Sequence, residues 1–500
     1  MVRFLITLNR KVVNSIDWYL LIKIIVIINT GFAIITIFRS KRDISSTWAW
    51  LMVLIFLPLF GFAVYAFVGR KLPEKQLFRL QTRSMFKLDR LLNRQISQMN
   101  NAKKAIADDV TYGAKSLVKT FQNADMAFLS RKNQVQIFTN GVTLFRQMID
   151  DFRRARSSIN VEFYTFYNDR IGRQIRDLLV RKAKEGVQIR VIYDSLGSIG
   201  THRKFFKPLI KAGGHAMPFL HTHSAFFDVR LNFRDHRKIV TVDGKIGYIG
   251  GFNIGDQYLG RNHKKFGNWR DTHLRIMGSG VFSLQAQFIL DWNVTDSHHL
   301  ITDNTRKVNY FPLNNVDGKT NMQIVSSGPN NDKQQIKYGY IRMIQMAQKR
   351  CWIQTPYLIP DDSVLDALRM ATMSGVDVRI MIPCKPDHPF VYRATQYYAD
   401  WLAHEGIKIY YYQNGFMHAK TIVVDGKLSS VGSANFDFRS FKLNFEINCF
   451  MYDKSVAAQL TDLFIEDIRD SQLQTPEMFD HQSYWLVLKQ RFSRLLSPIL

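Results

Sequence analysis

Residues 236–253 read HRKIVTVDGKIGYIGGFN, and residues 418–435 read HAKTIVVDGKLSSVGSAN. Both stretches follow one pattern, H-x-K-x4-D-x6-G-[GS]-x-N, with the same internal spacing. A short pattern of common residues arises often by chance, so a single copy would be weak evidence. Two copies in identical register indicate that the chain uses the motif as a pair.

The motif combines residue types that suit phosphoryl transfer without a metal ion. His236 and His418 provide two imidazoles, of which one attacks phosphorus while the other protonates the leaving oxygen. Lys238 and Lys420 follow the histidines by two residues, so they lie on the same face of a strand. From there their ammonium groups reach the phosphate oxygens on which negative charge develops. The pattern therefore predicts one site built from both copies.

The segments around the motif are duplicated too. Two apolar, strand-like runs with a helical stretch between them precede each motif, and an apolar run carrying an acid follows it. Strands alternating with helices predict an α/β fold, and the duplication predicts two α/β repeats joined by the polar segment 303–319. The matching runs before the motifs are residues 159–166 with 351–358 and residues 186–193 with 375–382.

These residues resemble the phospholipase D superfamily, and within it most closely the bacterial cardiolipin synthases. The narrower resemblance rests on paired apolar segments near the N-terminus and on four motifs: NFRDHRK at 232–238, GYIGGFN at 247–253, FGNWRD at 266–271 and PDHPF at 386–390. It implies two tandem α/β repeats packed about a pseudo-twofold axis, whose motifs share one active site. It also implies that two phosphatidylglycerol molecules give cardiolipin and glycerol through a phosphatidyl-histidine intermediate, with no cofactor.

The resemblance assigns roles to residues outside the two histidines and two lysines. It implies that Asp271 orients His236 and that Glu446 orients His418. The asparagines Asn253 and Asn435, which end the two motifs, are expected to donate hydrogen bonds to the phosphate from a neighbouring strand.

Asp243 and Asp425 complete the catalytic motif, but their own context favours a different role. Each aspartate directly precedes a glycine, Gly244 or Gly426, and this pair is typical of a tight turn. The sequence therefore favours a turn-bracing function for the motif aspartates.

The resemblance also implies a division of labour, in which His236 is the nucleophile and His418 is the general acid and then the base. That division needs a neutral His236 and a protonated His418, and we expect Glu446 to raise the pKa of His418. Because the site is nearly symmetric, the residues alone leave the assignment open.

Side chains beyond the motifs are weaker candidates for the site. Glu162, Tyr164 and Tyr357 occupy matching strands and could line the cleft, although packing explains the tyrosines equally well. His388 follows a strand of the second repeat, at the end where ligand sites of α/β folds gather.

Composition is consistent with a membrane enzyme that acts on anionic material. The chain of 500 residues carries a formal charge of +27, which favours an anionic membrane surface or nucleic acid as partner. Its three cysteines are widely spaced and form no sequence pattern typical of a metal site or a disulfide framework, so we expect no metal.

Two apolar segments at the N-terminus favour the membrane over nucleic acid. Trp18 to Phe38 is apolar apart from Lys23, and Ile44 to Gly69 contains no charged residue, so both are long enough to span a bilayer. A cleaved signal peptide is less consistent, because no small-residue cleavage site follows the first segment. Basic residues before the first and after the second segment predict a cytoplasmic catalytic part, although Arg39, Lys41 and Arg42 between them oppose the rule.

Two further segments are basic and amphipathic. Residues 70–104 contain ten Lys or Arg against two acids and are expected to lie on anionic headgroups, with an ordinary solvated helix as the alternative. For residues 485–496 the same pattern is expected to reflect docking of a terminal helix on its own domain. The predicted divisions are an anchor (1–70), a basic juxtamembrane segment (71–120), the two repeats (121–305 and 306–480) and an amphipathic tail (481–500).

Three functions are consistent with these features. The first is a phosphatidyltransferase that makes cardiolipin at the cell membrane. The second is a hydrolase of the same chemistry, either a phospholipase D or a nuclease, in which water accepts the phosphatidyl group. The third is a membrane scaffold without activity, which the two intact motifs disfavour. The sequence does not determine the oligomeric state.

Overall fold

The structure, a computed structural model, describes residues 18–39, 44–57, 61, 65, 109–125, 127–219, 233–261, 266–302, 308–314, 316–331 and 333–497. The basic segment 70–104 and most of the second apolar segment after residue 57 lie outside the described residues. The chain divides into two compact units, Met1–Leu72 with Thr222–Asn232 and Pro73–His221 with Phe233–Leu500.

The smaller unit contains two apolar helices, α1 (Trp18–Arg39) and α2 (Ile44–Phe56). They pack on each other through a small cluster that includes Ile37, Leu51 and Leu54, while most other apolar side chains described on them are exposed. None of the helices among the described residues meets the length and hydropathy expected of a membrane-spanning helix.

The larger unit holds both repeats, and its secondary structure follows the predicted alternation. Its helices are α3 (Asp109–Gly113), α4 (Lys115–Asp125), α5 (Gly141–Arg154), α6 (Arg170–Lys184), α7 (Lys207–Lys211), α8 (Gly280–Thr295), α9 (Gln335–Met346), α10 (Asp362–Met373), α11 (Pro389–His404), α12 (Phe438–Lys442), α13 (Lys454–Arg469), α14 (Pro476–Asp480) and α15 (Tyr484–Leu495).

The strands of the first repeat are β1 (Ser130–Phe138), β2 (Ser158–Phe163), β3 (Gln188–Tyr193), β4 (His215–Pro218), β5 (Lys238–Val242), β6 (Ile246–Gly250), β7 (Trp269–Arg270) and β8 (His273–Met277). Those that follow are β9 (Thr320–Ser327), β10 (Arg350–Gln354), β11 (Leu358–Ile359), β12 (Asp377–Pro383), β13 (Lys408–Tyr412), β14 (Phe416–Met417), β15 (Thr421–Val424), β16 (Leu428–Gly432), β17 (Phe436–Asp437), β18 (Glu446–Tyr452) and β19 (Ser471–Gln474).

The duplication predicted from the sequence is visible in the sheet topology. The first repeat has the strand order β1-β8-β6-β5-β2-β3-β4, and the second has the equivalent order β9-β18-β16-β15-β10-β12-β13. Antiparallel pairing of β1 with β9 joins the two halves, and β19 extends one edge, so the described residues form a sheet of fifteen strands. The repeats therefore form one α/β unit with approximate twofold symmetry.

One predicted boundary differs from the structure. The sequence placed residues up to 120 in the juxtamembrane segment, yet this boundary falls inside α4. Phe121 is fully buried and packs on Phe450 of the second repeat, with ring centroids 4.4 Å apart. Because α4 contributes its apolar face to that core, it belongs to the catalytic unit and not to a membrane-surface segment.

Asp243 and Asp425 form the tight turns that their following glycines predicted. Both aspartates have a φ of 53°, and Gly244 and Gly426 have φ of 64° and 63°, as turns between the antiparallel strands of a hairpin require. The Asp243 carboxylate accepts hydrogen bonds from the backbone N–H groups of residues 156, 157 and 158 at 2.7 to 2.9 Å. Asp425 makes the equivalent three bonds to residues 348–350. Each motif aspartate therefore ties the motif hairpin to the start of β2 or β10.

Replacing Asp243 by Ala should destabilise the catalytic unit by about 2–4 kcal/mol, because three backbone donors lose a charged acceptor. Thermal or chemical unfolding of the purified protein measures this loss. Asp177→Ala is the control, since Asp177 is exposed and pairs with the adjacent Arg176 at the surface. An unchanged unfolding midpoint for Asp243→Ala would contradict the turn-bracing role.

Candidate active site

The two sequence motifs meet in one cavity of about 670 Å³ between the repeats. His236 and His418 both line this cavity, as do Asn253 and Asn435, and its size suits a small ligand or a lipid headgroup. The prediction of one site built from both copies agrees with this arrangement. The side chains of Tyr164, Tyr357 and His388 also line the cavity.

Backbone pairing between the repeats positions the histidines. The His236 N–H donates to the carbonyl of Phe445 at 2.9 Å, and the His418 N–H donates to the carbonyl of Arg270 at 2.7 Å. Asp235 and Phe445 form a parallel β-bridge, and the short strands β7 and β14 pair in the same way. In both cases the residue before a histidine pairs with the residue before an acid of the other repeat.

This pairing crosses the histidines with the acids of the opposite repeat. Nδ1 of His236 lies 2.9 Å from Glu446, and Nδ1 of His418 lies 2.6 Å from Asp271. The resemblance implied that Asp271 orients His236 and that Glu446 orients His418, and that pairing is wrong. The linear spacing contains no signal for the exchange, because it arises only from the bridges between repeats.

Each acid is itself held, but by different means. Glu446 accepts a hydrogen bond from the hydroxyl of Ser433 at 2.5 Å and one from the Asn444 amide at 3.3 Å. Asp271 sits against Gly251, where a Cβ atom would lie 2.0 Å from its carboxylate oxygen. The single glycine–serine difference between the motifs therefore follows from the different acids that the two positions contact.

Both carboxylates are ionised despite full burial. Burial by itself would raise the pKa of Asp271, but Lys420 and His418 outweigh it and hold that pKa below the usual value. Burial opposes ionisation of Glu446 in the same way, and His236 and Lys238 lower its pKa below the usual value. Negative charge therefore faces the Nδ1 atom of each imidazole, which leaves Nε2 available for chemistry.

The motif lysines are buried beside the histidines that precede them. Nζ of Lys238 donates to the carbonyl of His236 at 2.6 Å, and Nζ of Lys420 makes the equivalent bond to His418 at 2.5 Å. Burial lowers the pKa of Lys238 to about 7 and that of Lys420 to about 8. Neither lysine is among the residues that line the cavity, so the expected contact of their ammonium groups with a phosphate stays a prediction.

The imidazoles do not have the protonation state that the sequence predicted. Burial, followed by the charge of Lys420, lowers the pKa of His418 to about 4, although Asp271 opposes the shift. Burial also lowers the pKa of His236, against the effect of Glu446. The contacting acid does raise the pKa of each imidazole, as expected, but for both histidines burial outweighs it and the net shift is downward.

Two predicted residues make different contacts from those expected. The Asn253 amide accepts from the Thr165 N–H and donates to the Tyr258 hydroxyl, and the Asn435 amide donates to Asp437 at 3.0 Å. Both side chains thus brace the cavity wall through contacts within their own repeats. Asp243 and Asp425, which the sequence grouped with the catalytic motif, are absent from the cavity lining because they brace turns at the far ends of β5 and β15.

Glu162 lies beneath the cavity and not in it. It is fully buried with Asp235, Asp291 and Arg237, and burial followed by the charges of Asp291 and Asp235 raises its pKa well above the usual value. The suggestion that Glu162 lines the cleft is therefore wrong. In the first repeat, Glu162 of β2 pairs with β5. At the equivalent position of the second repeat, the neutral residue Gln354 of β10 pairs with β15.

Sequence reasoning missed two arginines, the buried Arg234 and the half-buried Arg439, and the aromatic residue Trp269. Arg234 and Arg439 line the cavity, and Arg234 is close to Asp194 at 3.2 Å. Trp269 packs on His418 with ring centroids 5.1 Å apart, while Tyr164 packs on His236 at 5.0 Å. Arg234 precedes His236 by two residues, which is the kind of proximity that could have identified it.

Among the described residues, one group of side chains could approach a metal ion, and it lies outside the cavity. His215, Asp296 and His299 have ligand atoms within 4.8 Å of one another. The sequence spacing gave no sign of this group. Asp296 already accepts the backbone N–H groups of residues 298 and 299 as well as the His299 ring, and the nearby charge of Arg190 disfavours a cation there. We interpret the group as a local cap at the end of α8.

Comparison with known proteins agrees with this geometry. Residues 148–271 and 340–468 match the family model described as "Cardiolipin synthase, PLD-like domain", and residues 27–70 match that described as "Phospholipase_D-nuclease N-terminal". The crystal structure of phosphatidylserine synthase from Haemophilus influenzae has a similar fold, with a TM-score of 0.59 at 14% identity. That likeness covers 77% of this chain and 100% of the other.

Curated relatives extend the match to nearly the whole chain. The cardiolipin synthase of Listeria innocua is 47% identical over 482 residues, which is 96% of this chain and 99% of the relative. The major cardiolipin synthase ClsA of Bacillus subtilis is 46% identical over 96% of this chain and 99% of its own. The cardiolipin synthase of Staphylococcus aureus is 44% identical, with 95% of each chain covered. With the duplicated motif, the shared cavity and these relatives together, the chain belongs to the cardiolipin synthase family of phospholipase D-like proteins.

Proposed function

We propose that the protein transfers a phosphatidyl group from one phosphatidylglycerol molecule to another, which gives cardiolipin and glycerol. The observation that carries this proposal is the pair of crossed histidine–carboxylate contacts in one cavity, in a chain whose relatives bear the name cardiolipin synthase. Two imidazoles and two ammonium groups are what a phosphodiester exchange needs.

The first half of the reaction forms the enzyme intermediate. Nε2 of His236 attacks phosphorus, the bond from phosphorus to the glycerol oxygen breaks, and His418 donates a proton to that oxygen. Lys238 and Lys420 balance the charge that develops on the other phosphate oxygens. Because burial and the charge of Lys420 lower the pKa of His418 to about 4, the negative charge of the phosphate is needed to raise that pKa when His418 acts as the acid.

The second half reverses these roles. His418 removes the proton from a hydroxyl of the second phosphatidylglycerol, and the resulting oxygen attacks phosphorus as the bond to His236 breaks. Glu446 stabilises the positive charge on the phosphatidyl-imidazole, and Asp271 stabilises protonated His418. A hydrolase would use water in place of the second lipid, and the relatives favour the transferase because their names specify synthesis of cardiolipin.

The protein is further proposed to be anchored by two N-terminal membrane spans with its catalytic unit in the cytoplasm. Exposed apolar side chains along α1 and α2 support the anchor, and the basic residues that flank the two apolar segments support the cytoplasmic location. The basic segment 70–104 is proposed to contact anionic headgroups next to the second span.

The purified protein should convert phosphatidylglycerol alone into cardiolipin and glycerol, without a nucleotide or a divalent metal. Mass spectrometry of the lipid products, with and without a chelator, measures this. Phosphatidic acid as the sole product would identify a hydrolase, and loss of activity with the chelator would contradict the metal-free mechanism.

The crossed contacts predict which acid supports which half-reaction. Asp271→Asn should resemble His418→Ala and accumulate label from phosphatidylglycerol on His236, because the acid–base histidine loses its carboxylate. Glu446→Gln should resemble His236→Ala and form little labelled enzyme. Each change should lower kcat by about 10²- to 10⁴-fold. Asp177→Asn is the matched control, since Asp177 is an exposed acid that pairs with Arg176.

Peptide mass spectrometry after an acid-free quench locates the label. Accumulation in Glu446→Gln but not in Asp271→Asn would show that each acid serves the histidine of its own repeat. Label on His418 in the His236→Ala protein, with none on His236 in the His418→Ala protein, would reverse the assignment of nucleophile.

Replacing Lys75, Arg79, Arg83 and Lys87 by Gln should weaken binding to anionic vesicles for a protein that lacks residues 1–69. Each basic residue near such a surface contributes on the order of 1 kcal/mol, and salt should diminish the effect. Vesicle flotation measures the binding, and equal flotation of both proteins would favour an ordinary solvated helix.

A further inference from the structure

The C-terminal helix α15 docks on the catalytic unit through its polar face, whereas a terminal helix normally buries its apolar face. Its most buried side chains are the polar Gln490 and Ser493, at 1% and 2% exposure. Gln490 donates to Gln482, and the guanidinium of Arg494 lies over the Tyr397 ring of α11 at 5.0 Å. Polar and cation–π contacts therefore contribute directly to the attachment of α15.

The apolar side chains of α15 point away from these buried positions. Trp485, Leu488, Phe492 and Leu495 recur at helical spacing and form one stripe, with exposures of 69%, 43%, 55% and 73%. A contiguous exposed apolar stripe of this kind marks an interaction surface in a folded protein. The docking that the sequence predicted for residues 485–496 is therefore present, and the apolar stripe stays largely exposed beside it. One edge of the stripe, at Leu488, Phe492 and Leu495, lines a groove of about 750 Å³ between α15 and α11.

Charge indicates what covers the stripe. Residues 484–495 contain Lys489, Arg491 and Arg494 but no acid, and all three cations are exposed. Lys489 and Arg491 flank the apolar stripe, whereas the nearby acids Asp400 and Asp480 lie in the groove towards α11. A second copy of this chain carries a formal charge of +27, and the chain's own segment 70–104 is also strongly basic. Both would bring like charges against α15, whereas an anionic bilayer brings the opposite charge.

We propose that α15 is an interfacial helix that lies on an anionic bilayer, with Trp485, Leu488, Phe492 and Leu495 inserted among the lipids. Aromatic and aliphatic residues on one side with basic residues beside them are the features of helices that bind in the plane of a membrane surface. The contact surface belongs to the catalytic unit itself. The proposed membrane contact therefore does not involve the N-terminal helices. It rests on the proposed function in one respect, which is that the substrate is an anionic membrane lipid.

Helix α11 connects the docking site of α15 to the catalytic cavity. Helix α11, on which α15 docks, begins at Pro389 beside His388, and both residues line the catalytic cavity. Phe390 follows in the same turn and is also exposed at the cavity. One rigid helix of sixteen residues therefore links the rim of the cavity to the docking site of α15.

The test uses the full-length protein in nanodiscs that contain phosphatidylglycerol, with a fluorescent label at residue 492. Phe492→Cys is made together with Cys384→Ser, because Cys351 and Cys449 are buried. Brominated lipids should quench the label at 492. Met373→Cys is the matched control, since Met373 is an apolar residue of α10 with 82% exposure, and its label should not be quenched.

Charge variants make the test specific for an anionic surface. Lys489→Gln and Arg491→Gln should each lower the ratio of inserted to free helix by about fivefold, and neutral lipid should do the same. The proposal would be overturned if brominated lipid did not quench the label at residue 492, or if it quenched the labels at residues 492 and 373 equally. A label at 492 that is shielded from both lipid and aqueous quenchers would identify a protein segment as the occupant.

Cardiolipin formation by the same nanodiscs is measured in parallel. Lipid quenching at 492 without cardiolipin formation would refute the proposed function and leave the membrane contact standing. Cardiolipin formation without quenching at 492 would refute the membrane contact alone.

Discussion

The active site depends on the backbone pairing that crosses the two repeats. Each histidine strand pairs with the segment that carries the acid of the other repeat, so His236 meets Glu446 and His418 meets Asp271. Neither repeat contains a complete histidine–carboxylate pair by itself. The duplicated fold is therefore a requirement of the chemistry, because one repeat alone would leave its imidazole unsupported.

The same crossing balances charge in a buried place. Two ionised carboxylates and two lysines with lowered pKa values surround two neutral imidazoles. Burial of unpaired charges would cost several kcal/mol each, but here every charged group has an opposite charge or a hydrogen-bond partner nearby. Burial lowers the pKa of both lysines, while the nearby carboxylates of Glu446 and Asp271 oppose that shift.

The pseudo-twofold symmetry is imperfect, and the differences concentrate around the histidines. Ser433 holds Glu446, while Gly251 leaves room for Asp271. Trp269 packs on His418, and Tyr164 packs on His236. A buried acidic cluster with Glu162 lies beneath the first motif, whereas Gln354 takes the register position of Glu162 in the second repeat. These differences give the two histidines unequal environments, although their side chains are identical.

The sequence by itself determined the duplicated α/β fold, the shared site and the turns at Asp243 and Asp425. These features follow from local patterns in the sequence. Alternating apolar runs predict strands and helices, repeated spacing predicts duplication, and Asp-Gly pairs predict tight turns. Only the tertiary structure decided which acid serves which histidine, that Glu162 lies below the cavity and that α15 exposes its apolar stripe. These features depend on pairing between residues about 150 to 210 positions apart and on which face of an element meets a neighbour. A linear pattern fixes the period of an element, but the direction in which that element faces is set by what packs against it.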